Sequence, residues 1–414
     1  MTIPTLAWLD FAERDRRRML DVIKLFREQD TRDELGIGSV RDAFAELLFP
    51  GTSTIMTRAR YFLLIPWLYI FREEHAVSYQ TKTPVPEVMR LEEIWMISRL
   101  ERGGEERGVI GIEARRNLKR LPSSIYWNGL GRWGIRRMEM SIPEYHRFLS
   151  HIRRSANEVW RDDDGEPVAG YATHRWDPAL PKPPSDWRDR FTFDLTREEA
   201  EYLRERILTS CPDTLLAHLV DRARPVDASV AFPWMHPQLA SFPPRLRQQI
   251  EHARLASLVM NGAAWLYNVL LAEAKGDTER SEEYRQAFAE WAVEISSELH
   301  TVAQWDLDGF WILAESMNAG IAWRTKRFVT SWTDRVRSIG DPALLIHDVV
   351  ARDLIAARER ELKRSRSRLD NQRLLDLWNG PSGTARLNYR WNPVVRNITN
   401  DIIEGLARPG HDDA

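Results

Sequence analysis

Thr196-Arg197-Glu198-Glu199-Ala200-Glu201-Tyr202-Leu203-Arg204-Glu205-Arg206-Ile207-Leu208 is the stretch that decides how this chain folds. A threonine three residues ahead of a glutamate forms a capping box. The hydroxyl accepts the glutamate N–H and the carboxylate accepts the threonine N–H, so two free donors at a helix start are satisfied together. The spacing predicts a helix through Leu208. The same pattern recurs at Asp10 with Glu13 and at Ser141-Ile142-Pro143-Glu144, which opens a helix to about Glu158.

Outward from these starts the chain reads as helix after helix. Helices are expected at Ser39–Phe49, Glu87–Leu100, Ser124–Trp133, Asp213–Arg222, Arg245–Ala274, Ser281–His300 and Asp308–Ile339, the last broken at Gly320. A further helix should follow the Pro50–Thr54 turn and carry Arg58 and Arg60. A short one is expected near Glu113–Arg120. Asp341-Pro342 is a good start for another, running to Asn379. Only Ile135–Met140 reads as a strand. The fold class is therefore mainly α. Arg161–Arg190 holds Asp162-Asp163-Asp164-Gly165 and five prolines from Pro167 to Pro184, and cannot sustain helix. The expected organisation is an N-terminal helical domain over 1–160, a Pro/Asp-rich linker over 161–190, a C-terminal helical domain over 191–408 and a tail at 409–414. The element order over 87–157 is that of a small winged-helix-like unit. Its second helix would be Ser124–Trp133, but Ile125, Tyr126, Trp127 and Leu130 make that helix apolar. A core helix is the alternative to a DNA-reading one.

Composition narrows the function classes. The 414 residues are 43% hydrophobic and 29% charged, ordinary for a soluble globular protein. The formal net charge of −2 draws no polyanion by bulk attraction. Charge is uneven, however: Arg99 to Arg137 carries ten Lys or Arg against four Glu. The single cysteine, Cys211, excludes an internal disulfide and a Cys-rich zinc site. It fits a reducing compartment. Met1-Thr2-Ile3-Pro4 lacks the basic-then-apolar order of a signal peptide, so a cytoplasmic location is expected. The apolar run Tyr61–Phe71, interrupted by Pro66, falls short of the ~20 residues that span a bilayer. It reads as a core helix, and no membrane partner is expected.

No strong catalytic signature is present. His-Glu-x-x-His, Gly-x-Ser-x-Gly, Walker A and a strand-borne Gly-x-Gly-x-x-Gly are all missing. His146 and His151 are five apart, about 500° around a helix, and do not share a face. No metal or cofactor is expected. Asp306, Asp308 and Glu315, with Arg324 and Lys326 nearby, are the carboxylates a hydrolase would use, with a salt-bridged surface as the alternative. Cys211 ahead of Pro212 reads as structural, because no base accompanies it.

Two turns point to an anion. Pro50-Gly51-Thr52-Ser53-Thr54 is followed by Arg58 and Arg60, and Gly380-Pro381-Ser382-Gly383-Thr384 by Arg386 and Arg390. Turn N–H groups and hydroxyls can hold an anion that arginines clamp. Thr52, Ser53, Arg58, Arg60, Ser382, Thr384, Arg386 and Arg390 are therefore the candidate phosphate-binding residues. Arg358, Arg360, Lys363, Arg364, Arg366 and Arg368 form a supporting basic helix, with Ile355, Leu362 and Leu369 as a narrow apolar stripe. Arg14, Arg16, Arg17 and Arg18 crowd another helix start, against its dipole.

The segments Trp8-Leu9-Asp10-Phe11, Arg41-Asp42-Ala43-Phe44, Phe49-Pro50-Gly51-Thr52, Thr57-Arg58-Ala59-Arg60-Tyr61-Phe62, Pro122-Ser123-Ser124-Ile125-Tyr126-Trp127 and Ser382-Gly383-Thr384-Ala385-Arg386-Leu387 resemble a family of uncharacterised bacterial proteins, a domain of unknown function. The resemblance spans most of the chain. It implies an association with antiphage-defence loci that encode helicases and phospholipase-D-like nucleases, and transfers no catalytic residue. The expectation is a nucleic-acid-binding, non-catalytic component of a defence assembly, with DNA or RNA and helicase or nuclease subunits as partners. The alternatives are a nucleic-acid-modifying hydrolase, nuclease or glycosylase, and an adapter that grips a helicase or nuclease.

Overall fold

The computed structural model describes residues 33–75, 83–155, 175–189, 191–222 and 224–409. The Asp10–Glu13 box, Arg14 to Arg18 and Asp162 to Asp164 lie outside the described residues. The two capping boxes inside them close. Glu199 N–H donates to Thr196 Oγ1 at 3.2 Å and Thr196 N–H to Glu199 Oε2 at 3.0 Å. Ser141 N–H donates to Glu144 Oε2 at 2.7 Å.

The chain is mainly helical, with fifteen α-helices among the described residues. They are α1 (Gly38–Leu48), α2 (Tyr61–Glu74), α3 (Val85–Arg102), α4 (Pro122–Arg132), α5 (Ile142–Ser155), α6 (Arg197–Ser210), α7 (Leu215–Arg222) and α8 (Pro244–Lys275). They continue as α9 (Thr278–Ser297), α10 (Leu299–Gln304), α11 (Leu307–Met317), α12 (Trp323–Ser338), α13 (Val349–Lys363), α14 (Gln372–Asp376) and α15 (Arg396–Leu406). Two compact units result. One comprises Glu251–Leu387 with the described residues up to Phe44; the other comprises Ala45–Ile250 and the residues from Asn388 onward.

In the first unit α8, from Glu251 on, is the central rod. By length and hydropathy α8 resembles a membrane span, but 94% of its apolar window is buried inside the protein. Two indoles tie neighbours to it: Trp291 Nε1 donates to Leu258 O and Trp332 Nε1 to Val259 O, both at 2.9 Å. Gly262 makes the approach of α9 possible, because a Cβ there would sit 2.2 Å from the Trp291 ring. In the second unit α2 is buried from Tyr61 through Tyr69, as its unbroken apolar run requires. Against it packs α4, with Phe62 stacked on Trp133 at 3.8 Å between centroids. Around α15, which carries Ile398 and Ile402 inward, lie α6 and α7.

Four expectations are corrected. The helix over Asp341–Asn379 is interrupted: a 3-10 turn (Pro342–Ile346) precedes α13, another (Arg364–Arg366) ends it, and α14 is short. The cause is Glu359. Its buried carboxylate accepts Ser367 Oγ at 2.7 Å, Arg368 N–H at 2.9 Å and Leu369 N–H at 3.2 Å, which turns the chain back on itself. Arg364 takes a positive φ of 50° at the bend. Second, Arg58 and Arg60 precede α2 instead of riding on it. Third, the strand at Ile135–Met140 is reduced to one antiparallel bridge between Arg136 and Trp176. Arg136 N–H is used to close the end of α4, on Leu130 O, and the Arg136 guanidinium bonds the carbonyls of Met138 and Met140. Fourth, the short helix expected near Glu113–Arg120 is only a 3-10 turn, Arg115–Asn117; α3, α4 and α5 of the 87–157 segment form, and the described residues hold no paired wing beside them.

One buried carboxyl makes the second unit sensitive to pH. Glu93 on α3 accepts Ser123 N–H at 2.8 Å and Ser123 Oγ–H at 2.7 Å, fixing the start of α4. Burial pushes its pKa up to about 7, against the pull of those two hydrogen bonds. The native state therefore holds a proton that the unfolded chain, with the ordinary value of 4.5, has released. This contribution to stability is full below about 4.5 and is lost as pH rises through about 7. In Glu93→Gln, which keeps an acceptor for Ser123 N–H, the fall in melting temperature between those pH values should flatten. A parallel pH profile for variant and parent would refute the assignment.

Candidate functional site

The first turn is closed from within the second unit. Gly51 takes φ 79° at its bend. Trp133 Nε1 donates to Pro50 O at 3.0 Å and Thr52 Oγ1 to Phe49 O at 2.7 Å, and Thr52 is buried. Arg390 points into the same turn, donating to Thr52 O at 2.6 Å with Glu46 at 3.5 Å. Ser53 Oγ and Arg390 Nε are buried there without a hydrogen-bond partner among the described residues. Arg58 pairs with Asp401 at 2.9 Å, and Arg60 with Glu199 at 2.7 Å. Burial works against the charge on Arg58, but the hydrogen bond and attraction of Asp401 outweigh it and raise its pKa. Thus Thr52, Arg58, Arg60 and Arg390 are engaged by their own unit.

The second turn is stapled to α8 within the first unit. Asn268 accepts Ser382 N–H at 2.9 Å and returns a bond to Ser382 O at 2.9 Å, while Asn261 donates to Thr384 O at 2.7 Å. Two asparagines a heptad apart on an apolar helix were the sequence signal for this staple, since buried amides require partners. Arg386 lies on Glu294 at 2.8 Å.

The supporting basic helix divides. Arg358 is buried, donating to Leu35 O at 2.9 Å and Thr325 Oγ1 at 2.8 Å. Arg360 pairs with Asp370. Lys363 and Arg368 enter a polar knot with Glu34, Tyr267, Glu359 and Ser382. Lys363 Nζ reaches Glu34 at 2.5 Å and the Tyr267 hydroxyl at 2.7 Å; Arg368 reaches Glu34 at 3.0 Å; Ser382 Oγ donates to Glu34. Burial pushes the Glu34 carboxyl up, yet Lys363, Ser382 and Arg368 hold its pKa down at about 2. Two carboxylates face two cations, so the knot is neutral and internally satisfied. Arg364 and Arg366 are left exposed, with no ion pair among the described residues.

The carboxylates of the hydrolase reading do separate work. Asp306 caps α11, accepting Gly309 N–H at 2.9 Å, and Glu315 pairs with Lys326 at 2.9 Å. His146 meets the Tyr69 hydroxyl at 3.2 Å. Cys211, at the end of α6, is buried, and burial pushes its thiol up to about 11.

The basic excess between Arg99 and Arg137 gathers on one loop. Between α3 and α4 the chain forms a loop with positive φ at Gly104, Gly108, Gly111 and Arg115. Its backbone is pinned by the segment Thr57–Tyr61: Thr57 Oγ1 donates to Gly108 O at 2.6 Å, and Ile110 N–H to the Tyr61 hydroxyl at 3.0 Å. Gly103 lies against Phe191 O, where a Cβ would come within 1.7 Å. Glu105 is turned inward to Phe193 N–H at 2.7 Å. Arg102, Arg107, Arg116, Lys119 and Arg120 stand exposed, and none has an ion pair among the described residues. An anchored backbone that presents free cations can track a line of negative charge.

Searches of curated proteins and of solved structures found no match. A family model does match, over residues 3–404, and the chain therefore belongs to DUF6361, a family of unknown function.

Proposed function

We propose that this chain is a nucleic-acid-binding component of a bacterial defence assembly, with no chemistry of its own, and that it contacts phosphates through the loop Arg102–Arg120. One observation carries the reading: five exposed cations from the end of α3 through that loop, Arg102, Arg107, Arg116, Lys119 and Arg120, have no ion pair among the described residues and sit on a pinned backbone, whereas Arg58, Arg60, Arg386 and Arg390 are engaged internally. The defence setting rests on the resemblance of the segments quoted above.

The test is fluorescence anisotropy with labelled DNA and RNA, single- and double-stranded, across a salt series. Affinity should fall steeply with salt, each duplex phosphate contact adding about 0.9 to the logarithmic slope. The variant Arg107→Glu, Arg116→Glu, Lys119→Glu, Arg120→Glu should keep the parent's melting temperature. It should bind duplex at least about tenfold more weakly, with a slope lower by up to about 3.6. Unchanged affinity and slope would remove the loop from the interface. A chain that binds no nucleic acid at low salt but co-purifies with a helicase or nuclease would be the adapter instead.

A further inference from the structure

Of the tryptophans among the described residues, Trp323 alone is exposed, at 61%. It opens α12, whose inward side is supplied by Thr325, Phe328, Val329 and Trp332, so packing does not require an indole at this position. Two guanidiniums lie beside the ring. The Arg327 carbon is 4.7 Å from its centroid and that of Arg324 is 5.6 Å away. Both arginines reach Glu361 Oε1 on α13, at 3.7 and 3.3 Å, which fixes them in place. Glu361 is also shared with the buried Arg358 at 2.9 Å, so one carboxylate serves three cations and the surface keeps a positive balance. Just beyond Glu361 the chain bends at Arg364, leaving Arg364 and Arg366 exposed and unpaired among the described residues.

A water-facing indole framed by guanidiniums suits one chemistry well. A nucleobase offers a flat π-face to the indole and its phosphates offer charge to the arginines. In a duplex those faces are covered by the neighbouring pairs, and a side chain reaches them only by unstacking a base step. Unpaired strands expose them. An apolar peptide would fit the ring but would leave the guanidiniums unmatched. We propose that Trp323, steadied by Arg324 and Arg327, is a stacking platform for an unpaired base, with Arg364 and Arg366 on the flanking phosphates. The first unit then takes single-stranded nucleic acid. The proposal rests on the nucleic-acid reading but uses no residue of the basic loop.

The experiment uses the full chain, a labelled oligothymidylate and a duplex of equal length. Trp323→Ala should weaken oligothymidylate binding about tenfold, within the range set by loss of one base–aromatic stack, and leave duplex binding unchanged. Trp323→Phe should retain most of the affinity. Oligothymidylate should quench the parent's tryptophan emission, and quench Trp323→Ala markedly less. The exposed position predicts an unchanged melting temperature for both variants. Equal oligothymidylate affinity in Trp323→Ala and parent overturns the platform, as does an equal loss on duplex. If duplex binding through the loop persists while the single strand is indifferent to Trp323, this inference alone fails. If the parent binds neither probe, both readings fail together.

Discussion

Glu359→Ala should destabilise the first unit by about 3–5 kcal/mol, the range for removing one partner from a buried charged network. The carboxylate accepts Ser367 Oγ, two successive backbone N–H groups and the Tyr267 hydroxyl at 2.9 Å, with Lys363 Nζ at 3.4 Å. Burial pushes its pKa up, and these donors bring it below the ordinary value. Without it the bend at Arg364 loses its anchor, and Lys363 and Arg368 are left to share the single carboxylate of Glu34. Glu359→Gln should be nearly as damaging, because its amide would turn two hydrogens toward groups that are themselves donors. Denaturant unfolding measures the loss. Amide exchange localises it, through early deprotection of Arg368 and Leu369. A variant with native-like protection there would show that the bend has another cause.

Asp401→Ala should cost the second unit about 3 kcal/mol or more. Asp401 on α15 receives Arg58 through two guanidinium nitrogens and also accepts Ala59 N–H at 2.8 Å. The substitution strands a half-buried guanidinium and a buried backbone donor together. Asp401→Asn keeps an acceptor for Ala59 N–H and should recover part of the loss. Arg58 can still turn toward Glu105, 4.0 Å away, which places the expected value at the lower end of the range. Equal stability of Asp401→Ala and parent would mean that Arg58 is not a scaffold residue, and would reopen it as a ligand contact.

Helix starts were legible in the sequence because their chemistry is local. Thr196–Glu199 and Ser141–Glu144 need only four residues to declare themselves. The long α8 was legible as well, from its apolar length. The bend after Lys363 was not, since it depends on a carboxylate recruiting a hydroxyl eight residues further on and backbone donors nine and ten residues on. The roles of Arg58, Arg60 and Arg386 were hidden for the same reason: their partners Asp401, Glu199 and Glu294 are remote in sequence. A glycine and hydroxyl turn followed by arginine looks the same whether it holds an anion or a carboxylate of its own chain. Exposure was equally invisible. Nothing in the pattern distinguished Trp323 from the buried tryptophans, or Arg116, without an ion pair among the described residues, from Arg115, paired with Glu101. Each compact unit also joins two separate stretches of chain, an arrangement set by long-range packing that composition does not mark.

Cys211 has a practical use. The only thiol of the chain is buried, with its pKa pushed up to about 11, so at neutral pH almost none of it is thiolate and reagents meet a silent background. A single cysteine engineered on any exposed helix face would then be the sole reactive handle. Dyes or spin labels could be placed one at a time on the native sequence, with no prior cysteine removal to disturb the end of α6.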